Sequence, residues 1–503
     1  MQACFPLTAK KGCLHPFFFL NNPYIYIFMK KNFGLLINGK WLKNRETIDV
    51  FNPFDGKKIS TVSCANSNQI NNSIKFAHLA FKSWSKTSAK YRSEILKKLF
   101  KLTKENIDIL SEIITLESGK PLQESKVEVE YGASFIEWAA EQALRSEGKL
   151  LESPENDKKM FYIKQPMGVV AAITPWNFPL AMVTRKVSAA IAAGCSVILK
   201  PSELTPLTAL KFGELAIEAG LPDGVLNIVN GNPKLIGELL SKNSLVKKIT
   251  FTGSTEVGKL LMRDSSSTVK NISLELGGNA PFAVFSDANL DKAVEGFVAA
   301  KFRNAGQTCI SANRLFVERK VFDKFLKKLV VRFKKLKLGN GLSDSDVGPL
   351  ISAGAIKKVI HHIDDAISKG GKIVIGGNRS SVGKLFFEPT ILTNINTKMK
   401  IFSKENFGPI IPIIKFDNDE ELIRLANDTN YGLAAYFYTK KTSRIWKIIE
   451  NLEYGMLGIN SGKISTYLNP FGGLKESGVG REGSLQCLEP FLETKFISWT
   501  YDD

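Results

Sequence analysis

From about residue 164 onward, short apolar runs alternate with segments whose apolar positions recur at helical spacing. Residues 169–173 read as a strand, 182–193 as a helix, 196–199 as a strand and 207–219 as a helix. A strand over 225–229, a helix over 236–240, a strand over 248–251 and a helix from 256 continue the series. Such alternation predicts a parallel sheet covered on both faces, with ligands at the carboxyl ends of its strands. A second series of the same kind is predicted from 291 to about 438, with strand-like 315–317 and 372–375. Two polar, β-prone pieces stand outside this plan, 147–165 and 491–500. Strands without covering helices seek edge partners, so these pieces either pair subunits or form an internal antiparallel flap.

With 503 residues there is material for two or three domains with large cores. Hydrophobic residues make up 44% and charged residues 23%, as in ordinary globular chains. The formal charge of +19 raises a nucleic-acid partner, but the lysines are spread thinly and no basic run exceeds two residues. They are expected to form a solvated surface that favours anionic small molecules, with no nucleic-acid partner. The six cysteines are scattered without a Cys-x-x-Cys pair, which argues against a zinc site and a disulfide scaffold and for a reducing, cytoplasmic setting. His361 and His362 are adjacent on a predicted helix, where neighbouring side chains diverge, so no metal is expected.

Residues 1–28 carry an aromatic cluster broken by Asn21-Asn22-Pro23. That break and the lack of a small-x-small cleavage site argue against a signal peptide, and the first Arg and Ser come too late for a transit peptide. The expectation is an extension that translation from Met29 leaves out. No segment offers 18 uninterrupted apolar residues, so no membrane span is expected.

Two glycine motifs mislead. Gly478 to Gly483 fits G-x-G-x-x-G but lacks the preceding apolar strand of a dinucleotide fingerprint. Gly253 to Lys259 fits a P-loop until Leu260 takes the place of the hydroxyl residue that would hold magnesium. What survives is a strand, then Thr252-Gly253-Ser254, then a helix whose N-terminus favours a phosphate.

The candidate chemistry lies in 302–309, where Cys309 follows Gly306-Gln307-Thr308 in a polar loop with Arg303 nearby. Such a cysteine is expected to be partly exposed as thiolate and to act as a nucleophile. Histidine, the usual base, is scarce. Glu275, 34 residues upstream at the end of a strand-like run, is placed to activate water instead.

Seven motifs in order resemble the signatures of the aldehyde dehydrogenase superfamily. They are residues 174–179, Lys200-Pro201-Ser202-Glu203, Phe251-Thr252-Gly253-Ser254, 274–278, 306–309, 405–409 and Pro470-Phe471-Gly472-Gly473. The resemblance covers about 38–499 and is greatest to the succinate-semialdehyde branch, through 302–309 and 459–480. It implies an α/β fold of the aldehyde-dehydrogenase type. Residues 29–143 and 166–274 would form a Rossmann-like cofactor domain, 275–464 a catalytic domain, and 144–165 with 490–503 a small β oligomerisation flap. A homodimer or homotetramer is implied.

Carried over by position, the resemblance makes Cys309 the nucleophile, with Asn177 and the Cys309 N–H holding the oxyanion of a thiohemiacetal. Hydride passes to nicotinamide, and Glu275 activates water against the resulting thioester. The cofactor, NAD with NADP as alternative, would touch Trp176, Lys200, Ser202, Glu203, Gly253, Ser254, Leu276 and Glu405. Arg185, Arg303 and Ser465 match positions that bind the distal carboxylate of succinic semialdehyde. Taken without the family, Glu275 and Arg185 read as surface residues, Asn177 as a turn residue and Arg303 as a structural contact. The competing functions are a glutaric semialdehyde dehydrogenase, a CoA-acylating relative and a non-redox cysteine acyltransferase. Family members of the CoA-acylating kind generally lack a glutamate at the position of Glu275, so its presence favours hydrolysis.

Overall fold

A computed structural model describes residues 32–501. The extension over 1–28 and the proposed start at Met29 lie outside the described residues.

Apolar, β-branched runs bounded by glycines build an eight-stranded sheet. Its order is Gly478–Val479, Asn271–Glu275, Val246–Thr252, Val169–Ile173, Ser196–Lys200, Leu226–Ile228, Leu35–Ile37 and Lys40–Leu42. The five strands from Asn271–Glu275 to Leu226–Ile228 are parallel, and the outer three pair antiparallel. Chain order reverses between Val169–Ile173 and its neighbour Val246–Thr252. Crossovers leave in opposite directions there and open a crevice at the carboxyl ends. The helices Ala181–Ala193, Leu207–Glu218, Pro233–Lys242 and Thr255–Ser265 match the helical periods in the sequence within a few residues.

A second sheet of seven strands runs Lys372–Ile375, Thr390–Thr393, Ile410–Phe416, Ala312–Glu318, Ala280–Val284, Ala434–Tyr438 and Met456–Ile459. It starts earlier and ends later than the pattern predicted. Ala280–Val284 is a central strand although it contains Pro281, which removes a ladder donor. The register shift at Ala280/Pro281 accommodates it, and Phe282 and Val284 are fully buried.

The two polar outliers meet each other. Leu492–Thr500 pairs antiparallel with Lys158–Pro166 along its whole length, and Lys149–Leu151 adds a third strand. Phe496 and Trp499 remain exposed on this small sheet. Among the described residues no helix is long and apolar enough to cross a membrane.

The even spread of lysine did not mean that all lysines are solvated. Lys120, Lys186, Lys248 and Lys301 are at most 1% exposed. Each has polar partners, as a buried ammonium must, and two of them frame the site described next.

Candidate active site

The crevice at the strand-order reversal holds a cavity of about 260 Å³. Three segments leaving the eight-stranded sheet contribute to it. The loop after Val169–Ile173 brings Trp176, Asn177 and Phe178, the turn after Val246–Thr252 brings Gly253 and Ser254, and the segment after Asn271–Glu275 brings Leu276. From the second sheet come Arg303, Cys309 and Glu405, and from the loop after Met456–Ile459 come Ser465 and Phe471. Arg185 and Met182 reach in from the helix Ala181–Ala193.

Cys309 sits between a tight turn, Arg303–Gly306, and the strand Ala312–Glu318. Asn304, Ala305 and Gly306 have φ of +50°, +55° and +79°, three left-handed residues in succession. Two are not glycine, and each costs on the order of 1–3 kcal/mol that its surroundings must offset. A Cβ on Gly306 would come within 2.4 Å of the Gly408 carbonyl oxygen. At Gly278 a Cβ would come within 2.2 Å of the Cys309 carbonyl, so the Gly277-Gly278 pair lets two backbones touch.

The thiol is half-buried, yet protein encloses it on nearly every side. That burial pushes Cys309 up to about 12, with Arg185 and Arg303 opposing and the carboxyls of Glu405 and Glu275 adding to the rise. The loop's polarity does not outweigh desolvation, so the thiol is a weaker acid than the partly ionised one the loop suggested.

Asn177 is buried rather than a simple turn residue. Its Nδ2 donates to the Gln307 carbonyl at 2.9 Å, and its own carbonyl accepts from Lys120 Nζ at 2.6 Å and Asn304 Nδ2 at 3.2 Å.

Glu275 is likewise no surface carboxylate, being 2% exposed with neither oxygen hydrogen-bonded. It does not line the cavity but lies under the 471–473 loop, where a Cβ on Gly472 would come within 3.0 Å of its Oε1. Burial, and then the charge of Glu482, raise its carboxyl well above the usual range. A carboxylate facing the thiol was expected; the side chain is buried and set back from the cavity lining.

Arg185 is also buried, contrary to its reading as a solvated helix residue. Its Nε donates to Glu482 Oε2 at 2.5 Å, and Lys186 binds the other oxygen of the same carboxylate. Burial alone would raise Glu482, but Lys186 and Arg185 overcome it and hold the carboxylate ionised. Arg303 stacks 4.4 Å from the Phe178 ring and forms no ion pair among the described residues. Ser465 Oγ meets the Tyr131 hydroxyl.

Lys200, Ser202 and Glu203 lie away from the thiol, at the carboxyl end of Ser196–Lys200 beside the Val169–Ile173 strand. Lys200 Nζ binds Glu203 Oε2 at 2.8 Å, and burial of Glu203 is outweighed by Lys200, which lowers its carboxyl. Ser254 caps the helix Thr255–Ser265, accepting from the Val257 N–H at 3.4 Å. Glu405 accepts from the Gly278 N–H at 3.0 Å, and Trp176 packs edge-on to Phe407 at 5.7 Å. The result is a set of donors and acceptors along strand ends, with the Ser254-capped helix N-terminus among them. This donor set fits an extended dinucleotide with its pyrophosphate at Ser254.

Sequence reasoning missed Glu482, Lys186, Lys120, Glu128 and Tyr131. The misleading run 478–483 was the one available signal: Gly478–Val479 is a sheet-edge strand against Leu274 and Glu275, and it delivers Glu482 beneath Arg185.

The sequence pattern of the aldehyde dehydrogenase family matches residues 41–497. The chain belongs to the aldehyde dehydrogenase family. This family member is 50% identical over 465 residues to the mitochondrial succinate-semialdehyde dehydrogenase of Oryza sativa subsp. japonica, covering 92% of this chain and 88% of that one. It is also 50% identical to the succinate-semialdehyde dehydrogenase [NADP(+)] of Escherichia coli (strain K12), covering 92% and 96%. With a glutarate-semialdehyde dehydrogenase of Pseudomonas putida it shares 49% identity over 92% and 96%. Among solved structures, an E. coli NADP-dependent enzyme superposes with a TM-score of 0.93 at 48% identity, covering 96% of this chain and all of the other.

Proposed function

We propose that this aldehyde dehydrogenase oxidises succinic semialdehyde to succinate with NAD(P) and water. The observation that carries the reading is the cavity whose lining brings Ser254, Glu405, Cys309, Arg185, Arg303 and Ser465 together. Bound along the strand ends, NAD(P) supplies the hydride acceptor. Cys309 Sγ adds to the aldehyde carbon, its proton passing to water in the cavity as the S–C bond forms and the C=O π bond opens. Asn177 Nδ2, released from the Gln307 carbonyl, and the Cys309 N–H donate to the resulting oxyanion, where charge develops. Glu275, swung from under the 471–473 loop, takes as a carboxylate a proton from the water that hydrolyses the Cys309 thioester. Trp176 and Leu276 wall the cofactor path, Gly253 and Ser254 meet the phosphates, and Lys200, Ser202 and Glu203 hold the adenosine end.

The distal carboxylate of the substrate meets Arg303, Arg185 and Ser465. Arg303 forms no ion pair among the described residues, and Arg185 keeps Nη1 buried without a partner. Glutaric semialdehyde, one methylene longer, is the second reading, supported by the P. putida relative. The presence of Glu275 supports hydrolysis over acyl transfer to CoA.

The two large sheets support a division into a cofactor domain over 29–143 and 166–274 and a catalytic domain over 275–464. The small sheet, with Phe496 and Trp499 exposed, supports an oligomerisation flap over 144–165 and 490–503 and assembly as a homodimer or homotetramer. A nucleophilic thiol needs a reducing compartment, and the cytosol provides one. The test is a steady-state panel of aldehydes with NAD and with NADP. Succinic semialdehyde should give the highest kcat/KM, and a neutral aldehyde outperforming it would overturn the reading.

A further inference from the structure

Behind the cavity, the helix Leu122–Gln142 places Glu124 and Glu128 one turn apart on the same face. Glu124 Oε2 accepts from the Asn304 N–H at 2.7 Å, at the first left-handed residue of the nucleophile turn. Glu128 Oε1 accepts from the Leu180 and Ala181 N–H groups at 3.0 and 3.3 Å, at the start of the helix that carries Arg185. Its Oε2 binds Lys120 Nζ at 2.5 Å, and the same ammonium reaches the Asn177 carbonyl at 2.6 Å. One helix edge therefore touches the thiol loop, the Asn177 segment and the helix beyond it.

None of these groups faces the reacting atoms, so ordinary packing is the simplest explanation. The backbone argues for more. Asn304 and Ala305 hold positive φ without being glycine, a conformation that persists only when neighbours over-determine it. The Asn304 N–H has its partner outside the turn, on Glu124. Downstream of that turn lie the Gln307 carbonyl, which holds the Asn177 amide, and Cys309 itself. Releasing the turn would shift the thiol and the Cys309 N–H relative to the Asn177 amide.

We infer that Glu124, backed by the Lys120–Glu128 pair, is a positioning residue that sets the nucleophile turn against Asn177 so that the thiol and both oxyanion donors converge on one point. The inference rests on the roles proposed above for Cys309 and Asn177.

The test compares Glu124→Ala, Glu124→Gln and the double variant Glu124→Ala with Ala305→Gly, in the full-length protein. It reads kcat and KM, the rate of Cys309 alkylation by iodoacetamide, and the thermal midpoint. Glu124→Ala should lower kcat by at least about tenfold while KM stays within about twofold, the signature of misplaced reacting groups. Its alkylation rate should change by about fivefold or more, because the thiol's surroundings move. Glu124→Gln keeps a carbonyl oxygen for the Asn304 N–H and should return kcat to within about threefold of the parent. Ala305→Gly relaxes the left-handed turn and should recover at least about threefold of the loss in Glu124→Ala.

The inference is overturned if Glu124→Ala keeps its kcat, or if Ala and Gln lose alike. It also fails if the loss follows the thermal midpoint with alkylation unchanged. Should Glu124→Ala not fold, Lys120→Met is read by the same assays, and unchanged kcat and alkylation there overturn it equally. Alkylation needs no aldehyde, so a wrong substrate assignment leaves this result intact. Turnover surviving in Cys309→Ala would instead condemn the proposed function.

Discussion

Arg185 and Lys186, adjacent in the chain, grip the two oxygens of one carboxylate, Glu482, nearly 300 residues away. Two buried cations thus share one buried anion, and Arg303 forms no ion pair among the described residues. A ligand carboxylate would complete this arrangement. Charge-assisted hydrogen bonds contribute roughly 1.5–3 kcal/mol each, and about 1.4 kcal/mol is tenfold in an equilibrium constant. Succinic semialdehyde should therefore exceed butanal in kcat/KM by on the order of a hundredfold. Arg303→Ala should remove most of that preference, whereas Arg185→Ala should also lower the thermal midpoint by leaving Glu482 with one partner. Equal kcat/KM for the two aldehydes in the parent enzyme would rule out the carboxylate-binding role.

Cys309→Ala should abolish turnover and leave cofactor binding nearly unchanged, since the thiol touches no residue of the Lys200–Glu203 segment. Glu275→Gln should keep acylation and slow hydrolysis, so a burst of reduced cofactor persists in single turnover while steady-state kcat falls by about a hundredfold or more. Stopped-flow absorbance distinguishes them. A Glu275→Gln enzyme without a burst would move Glu275 to the first half-reaction.

Glu203 carries an ionised carboxylate at the strand end, bound to Lys200. That charge accepts hydrogen bonds from ribose hydroxyls and repels a 2′-phosphate, so NAD should be preferred. Glu203→Ala should narrow the preference by about tenfold or invert it. A parent kcat/KM higher with NADP would show that Lys200 dominates this corner, an outcome of interest given the NADP(+) relative in E. coli.

The Cys309 thiol, raised to about 12 by burial, sets a sign for pH dependence. The reactive thiolate is the deprotonated form, so below that value its fraction grows about tenfold per pH unit. Alkylation of the free enzyme by iodoacetamide should climb steadily from pH 7 to 9 without levelling. Mass spectrometry of the Cys309 peptide gives the rate. A plateau near pH 8 would mean that the thiolate is held by a partner absent from this arrangement.

Much of this protein could be read along the chain. The strands and helices of 169–265 follow from local apolar period, and a strand–turn–helix at Gly253-Ser254 already implies an anion site, because both depend on neighbours within a few residues. The sequence likewise singled out Cys309, Asn177 and Arg303, which the fold gathers into one cavity. Acidity was set only in three dimensions: the Glu275 carboxyl is raised because the 471–473 loop covers it and Glu482 stands near, and neither lies close in sequence. Pro281 hid a central strand, since a ladder can tolerate a missing donor only where its register slips. Glu482, Lys120 and Glu128 belong to no motif or period that marks them along the chain and are buried ion-pair members. Period and motif report which residues are present and how they repeat; desolvation and Coulomb pairing depend on what encloses them, and that is settled only when distant segments pack.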